Sequence, residues 1–223
     1  MGAYTFAEFQ TYLKKRFADN DAWDTYYPVW INSAYRQLCT TNTVWELRRN
    51  LYIPELETSA TADTVDGTAY ISSPADTLIV REIYDTDNNL RLNWMPWSEY
   101  IGRTDRTTAA NEGEPTKWHR QGGYIFLYPT PDDAYTMTIY YKKRVADLTG
   151  TDVTAIGAEW DDIILEIAHY YGRMWNNEYD KAKISKELAK EKIAELMTGY
   201  WSEEKARRES IRPNENMTMG PTY

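Results

Sequence analysis

The chain has 223 residues, 42% of them hydrophobic, with nine Trp and nineteen Tyr, which is enough to bury one substantial core or two smaller ones. Its formal net charge of −9 excludes a general grip on nucleic acid, because such binding neutralises phosphates with clustered Lys and Arg. The lone Cys39 excludes an intrachain disulfide, no window approaches the ~18 apolar residues of a membrane span, and Glu8, Lys14, Lys15 and Arg16 interrupt any signal-peptide-like run, so assembly in a reducing cytoplasm is expected.

Residues 1–43 read as two helices. Thr5 followed by Glu8 makes a capping box ahead of Phe9, Leu13 and Phe17. The second helix places Trp30, Ala34 and Leu38 at helical spacing beside Ile31 and Tyr35, with Pro28 in its first turn, where a missing donor costs little. Both apolar stripes are expected to face a core.

From 44 to 157 the chain reads as a β domain, with a period of two over most of its length. Val44, Leu47 and Leu51 to Ile53, then 69–71, 77–84, 90–95, 124–128 and 135–141, predict five to seven strands. Asp66-Gly67, the run 85–89 and Gly122-Gly123 are turn sequences, and Pro129 to Asp133 is expected to close a hairpin between 124–128 and 135–141. Strands at this spacing without long helices between them predict an antiparallel β-sandwich or small barrel. Ile101 to Lys117 reads as a long polar loop, of the kind that binds something or is disordered.

After Gly157 the pattern returns to helix. Ala158 to Asp162 sets acidic groups at a helix start, and Ile163, Ile167, Tyr170, Tyr171 and Met174 lie on one face. A second helix is predicted from about Tyr179 to Ser210, reaching ~48 Å if Gly199 does not break it. Its apolar seam, Ile193, Leu196, Met197 and Tyr200, is confined to part of its length, so the helix is expected to project toward a partner or solvent. Residues 211–223, with Pro213, Asn214, Gly220 and Pro221, form an extended arm that orders only on binding. The fold class is therefore α+β: a helical bundle of 1–43 with 158–210, an inserted β domain over 44–157, and the arm.

Chemistry-bearing patterns are few. His119 and His169 are the only histidines, and neither neighbours a nucleophile motif; phosphate-binding glycine loops do not occur. Glu166 and His169 make a single E-x-x-H, whereas a di-iron bundle site needs two, so His169 is expected to cap or pack between helices. Asp161-Asp162 reads as solvated helix-start charge rather than a glycosidase dyad. No catalytic residue, cofactor or metal is expected, and the chain is not expected to be an enzyme. A carbohydrate-binding module is the alternative to a structural assembly protein, since exposed Trp and Tyr can stack on sugar rings.

The order of segments decides between these. Trp30 to Leu38, Trp45, Asp66-Gly67-Thr68-Ala69-Tyr70 leading to Pro74-Ala75-Asp76, Ile83-Tyr84-Asp85, then Gly113, Pro115 and Trp118, Tyr124 to Pro129, Pro131-Asp132, Tyr135 to Lys143, and Trp160 to Ile164 follow one another as an ordered string over 24–175. This string resembles the adaptor, or head-to-tail connector, proteins of tailed bacteriophages. The resemblance implies a virion protein of the neck: a ring of roughly twelve copies closed by heterologous contacts, bound to the portal protein and to a tail or nozzle protein, with genomic DNA passing through its lumen unread and no membrane involved. It also implies docking to the portal through the C-terminal helix and arm, at Trp201, Arg207, Arg208, Ile211, Arg212, Pro213 and Met217. Arg103, Arg106, Asn111 and Glu112 in the polar loop would contact neighbouring copies or the tail. Residues 51–150 hold nine basic and fifteen acidic residues, and an acidic lumen of this kind lets DNA slide.

Overall fold

The computed structural model describes residues 3–40, 53–104 and 111–211, with side chains described to 103 and to 199 in the last two spans. In chain order the elements are α1 (Phe6–Arg16), α2 (Tyr27–Thr40), β1 (Glu57–Asp63), β2 (Tyr70–Ser72), β3 (Thr77–Asp85), β4 (Leu90–Arg91), β5 (Asn93–Trp94), α3 (Trp97–Thr104), β6 (Lys117–Gln121), β7 (Tyr124–Tyr128), β8 (Thr136–Lys143), α4 (Asp161–Trp175) and α5 (Tyr179–Ile211). This α+β chain divides into two compact units, Met1–Tyr52 with Asp147–Tyr223, and Ile53–Ala146. Among the described residues no helix is long and apolar enough to cross a membrane.

In the first unit, α1 begins with the expected box: Glu8 N donates to Thr5 Oγ1 at 3.3 Å and Thr5 N donates to the Glu8 carboxylate at 2.8 Å, satisfying two orphan donors of the first turn. The Thr5 backbone N–H and the Thr5 hydroxyl, both donating to the Glu8 carboxylate, hold that carboxyl below its usual range. α2 carries Pro28 in its first turn and buries Trp30, Ile31, Ala34, Tyr35 and Leu38. α4 buries Ile163, Ile164, Leu165, Ile167 and Ala168, which together cover more than half of its circumference over its first turns. Met174, expected on the buried face, is instead 38% exposed.

Polar stitches fasten the loop before α4 to these helices. The Asn32 amide accepts from Leu148 N at 2.7 Å and donates to Leu148 O at 3.1 Å. The Tyr35 hydroxyl accepts from Ala155 N at 2.8 Å, and burial pushes its phenol up to about 12. Asp161, expected to be solvated charge at the start of α4, is instead buried there: it accepts from Tyr4 N at 2.6 Å, and burial raises its carboxyl above its usual range. On α4, Gly172 gives the rings of Phe17 and Trp30 their seat: a Cβ there would lie 2.8 Å from Phe17 Cε2 and 2.9 Å from Trp30 Cζ3.

The second unit holds two four-stranded sheets, ordered β1-β8-β3-β4 and β2-β7-β6-β5. Ile83, Met137, Ile139 and Tyr141 from the first and Ile71, Trp118, Ile125 and Leu127 from the second meet in one buried cluster. Arg120 crosses between them, donating from β6 to Leu78 O at 2.7 Å and Thr77 O at 3.0 Å on β3.

Four expectations are corrected here. Segments 124–128 and 135–141 do not pair: β7 lies between β2 and β6, and β8 between β1 and β3. The backbone of the connection is taken elsewhere, Thr130 by Asn111 and Gly113 and Pro131 by Gly67, so it passes from one sheet to the other instead of closing a turn. The two-residue hairpin is β6–β7, closed by Gln121 and Tyr124 around Gly122-Gly123, with Gly122 at φ +60°. The sheets form no closed barrel among the described residues, and they are not wholly antiparallel, since β5 runs parallel to β6. The segment expected to be loop from Ile101 begins as the end of α3. Residues 41–52, on which the strand around Val44 and Leu47 was expected, lie outside the described residues.

Candidate docking surfaces

The C-terminal helix is continuous from Tyr179 to Ile211, through Gly199. At about 1.5 Å per residue its 33 residues span about 50 Å. Asn177, at φ +58°, turns the chain from α4 into it. α5 lies against α4 through Ala182, Ser185, Ala189, Ile193 and Met197, one buried residue per turn. The first half, expected to be unseated because it lacks large apolar residues, is therefore packed, and small side chains allow its close approach. Trp201, Arg207, Arg208 and Ile211 occupy its last three turns; Arg212, Pro213 and Met217 lie outside the described residues.

Where α1, α4 and α5 meet, both members of the E-x-x-H motif are engaged with protein. Glu166 pairs with Arg16 at 2.9 Å and with Lys192 at 3.6 Å. Arg173 Nε donates to His169 Nε2 at 3.1 Å, so this nitrogen carries the lone pair, and the proton sits on Nδ1, which faces Ser185 Oγ at 3.1 Å. Burial, with Arg173 and Arg16 nearby, lowers the imidazole to about 4. Arg173 also pairs with Glu178 and lies over the Phe17 ring. His169 thus packs between helices.

The second unit presents a different surface. Arg103, on α3, bonds Glu99 at 2.9 Å and stacks on Tyr128 at 5.3 Å. Lys117 reaches the same Glu99 oxygen at 2.9 Å, and Lys117 and Arg103 together hold that carboxyl below its usual range. Asn111 Nδ2 donates to Arg103 O at 3.3 Å, so these two sequence-predicted residues are brought together, with Glu112 exposed beside them. Arg106 lies outside the described residues.

Sequence reasoning did not single out the aromatic face next to this group. Tyr124, Phe126 and Tyr128 share one side of β7, opposite the inward Ile125 and Leu127, and their spacing was the available signal. Rings run from Tyr124 to Tyr70 (5.0 Å), Tyr70 to Phe126 (5.9 Å), Phe126 to Trp97 (5.4 Å), Trp97 to His119 (5.2 Å) and His119 to Trp94 (6.4 Å). Trp94 is 60%, Tyr124 47% and Tyr70 45% exposed. On the helical unit, Tyr26, Val29, Trp175 and Tyr179 are likewise exposed, with Tyr26 and Trp175 in ring contact at 5.0 Å. These exposed rings make the two faces candidate contact surfaces.

Comparison with curated proteins finds no match. The sequence model of the family described as SU10 adaptor protein, however, matches residues 4–216, spanning the helices, both sheets and α5. The chain therefore belongs to the SU10 adaptor protein family, in agreement with its resemblance to the head-to-tail adaptors of tailed bacteriophages.

Proposed function

We propose that this chain is a structural virion protein whose copies close into a ring joining the portal to the tail or nozzle. The ring holds roughly twelve copies in heterologous contact. Genomic DNA passes through its lumen without being read. The observation that carries this reading is the family match over 4–216, which reaches into both compact units. In this account the chain ends build a helical bundle over 1–43 and 158–210, the β domain of 44–157 is a sandwich inserted between them, and 211–223 is an arm. The protein acts in the neck of the virion after assembly in the host cytoplasm, as scaffold and not as enzyme.

Three features support the details. α5 carries Trp201, Arg207 and Arg208 in its last turns, and Trp and Arg are the side chains that most often anchor interfaces. Both units expose large aromatic side chains suited to contacts with neighbours, and the net charge of −9 suits a channel that must not hold DNA. Exposed Tyr70, Tyr124 and Trp94 favour the second reading, a carbohydrate-binding module of a phage tail or cell-surface protein, but such a module has no use for the flanking helices. Removing residues 211–223 tests the adaptor reading. The truncated chain is expected to keep its helical circular dichroism and to lose attachment to the portal protein of the same genome; wild-type attachment contradicts the docking assignment.

A further inference from the structure

We propose that neighbouring copies of this chain meet through their helical units, the acidic loop between α1 and α2 of one copy seating against the cationic cleft at the start of α5 of the next. This inference rests on the ring reading and names the surfaces that join its members. A heterologous contact needs two different patches on every copy, matched to each other. The helical unit carries such a pair on two flanks of α4, since α2 and α5 each pack on α4 and make little contact with one another.

The acidic patch is built by the connection between α1 and α2. Lys14 pairs with Asp21 at 2.5 Å and with Asp24 at 2.9 Å, and Asp19 is exposed beside them. Three carboxylates around one ammonium leave two negative charges in excess. They gather at one place: burial first, and the charges of Asp24, Asp21 and Asp19 after it, raise the Tyr27 phenol above its usual range. Next to them Tyr26 and Val29 are exposed, and Trp175 lies against the Tyr26 ring at 5.0 Å.

The cationic patch is the cleft of about 380 Å³ where α1, α4 and α5 meet. Arg16, Arg173 and Lys181 line it with a single carboxylate, Glu166, which leaves two positive charges in excess. Lys192 and Glu178, paired at its edges, cancel each other. The excess is felt at His169, where Arg173 and Arg16 add to burial in lowering the imidazole. The rim is apolar, with Ile184 62% exposed and Leu188 exposed beside it. A small anion answers the charge and leaves these two side chains in water, whereas carboxylates presented beside Tyr26 and Val29 cover both. Charge makes a second copy the fitting occupant: on a chain of net charge −9 the cleft is a local reversal of sign, and every copy presents the acidic loop. The cleft is separate from the residues assigned above to the portal, since Trp201, the nearest of them along the helix, lies about 20 Å further along α5 than Leu188.

The test is native mass spectrometry of the full chain, alone and with the portal protein of the same genome, for the wild type, Asp21→Lys, Lys181→Glu and the double variant. The two side chains are 86% and 64% exposed, so both changes are expected to leave the fold intact, which thermal unfolding of each variant checks. Each single reversal is expected to raise the concentration at which oligomers form about tenfold, and the double variant, whose reversed charges face each other, to recover most of that loss. Oligomers of either single variant at the wild-type concentration, or a double variant no better than the singles, overturn this inference and leave the ring reading standing. No oligomer of the wild type in either mixture overturns both. Carbodiimide coupling of the wild type gives a reading without any substitution: an amide joining Lys181 of one copy to Asp19, Asp21 or Asp24 of another is expected in the oligomers. Oligomers in which Lys181 couples only elsewhere, to the portal protein included, overturn the proposal.

Discussion

Gly172→Ala sets two opposed effects against each other. In a helix interior the change gains about 1 kcal/mol of helix propensity. Against it, the new methyl would stand 2.8 Å from Phe17 Cε2 and 2.9 Å from Trp30 Cζ3. Neither ring can retreat: Phe17 is 7% and Trp30 6% exposed, and Phe17 is enclosed by Trp23 at 5.1 Å, Trp30 at 5.7 Å, Tyr27 at 6.1 Å and His169 at 4.9 Å. Overpacking a closed site costs typically 1–3 kcal/mol, with more at contacts this short, so the clash wins by about 1–2 kcal/mol. Urea unfolding followed at 222 nm, a signal dominated by the helical unit, reads the loss as a lower midpoint, and thermal unfolding reads it as a fall of roughly 2–4 °C per kcal/mol. Phe17→Leu removes the ring atoms that collide, so in that background Gly172→Ala is expected to cost less by at least about 0.5 kcal/mol. A raised midpoint for Gly172→Ala, or an identical loss with and without the Phe17 ring, refutes the packing argument.

Three further outcomes follow from particular contacts. Asn32→Ala strips both backbone partners from Leu148 and should destabilise the helical unit by about 1–3 kcal/mol in urea unfolding; an unchanged midpoint shows that water replaces the amide. Arg120→Ala removes the donors that tie β6 to Thr77 O and Leu78 O, and should lower the thermal midpoint of the β unit by an amount equivalent to about 1–3 kcal/mol, an effect absent if the fork is dispensable. The pH dependence of global stability should carry the sign of a depressed histidine. Below 6.5 the unfolded chain binds a proton at His169 that the folded protein refuses until about 4, so this contribution is complete above 6.5 and is lost as pH falls toward 4. The full shift converts to roughly 3 kcal/mol, and partial exposure reduces it to about 1–2 kcal/mol. His169→Gln should flatten that part of the curve, and an unaltered slope contradicts the assignment.

Local signals in the sequence carried the helical unit well. The Thr5 and Glu8 box, Pro28 and the stripe from Trp30 to Leu38 each act within one or two turns, and each is found where its chemistry places it, whereas Asp161 at the start of α4 is buried where solvated charge was expected. The β unit was legible as strands but not as pairings. Ile125 and Leu127 on β7 and Met137, Ile139 and Tyr141 on β8 alternate in the same way because both sets point into one core, and alternation says nothing about which sheet a strand joins. β1 was missed outright, since Glu57 to Asp63 holds only small and polar residues and owes its strand to a complete ladder with β8. The first half of α5 looked unseated because Ala and Ser leave a faint seam even where they pack closely. At the candidate surfaces, the proximity of Asn111 to Arg103 and the aromatic run from Tyr70 to Trp94 depend on tertiary placement, which no spacing encodes.

Electron microscopy of the purified full-length chain, alone and mixed with the portal protein of the same genome, tests the adaptor account most directly. The account predicts a closed ring with rotational symmetry seated on the portal. A monomer that ignores the portal contradicts it.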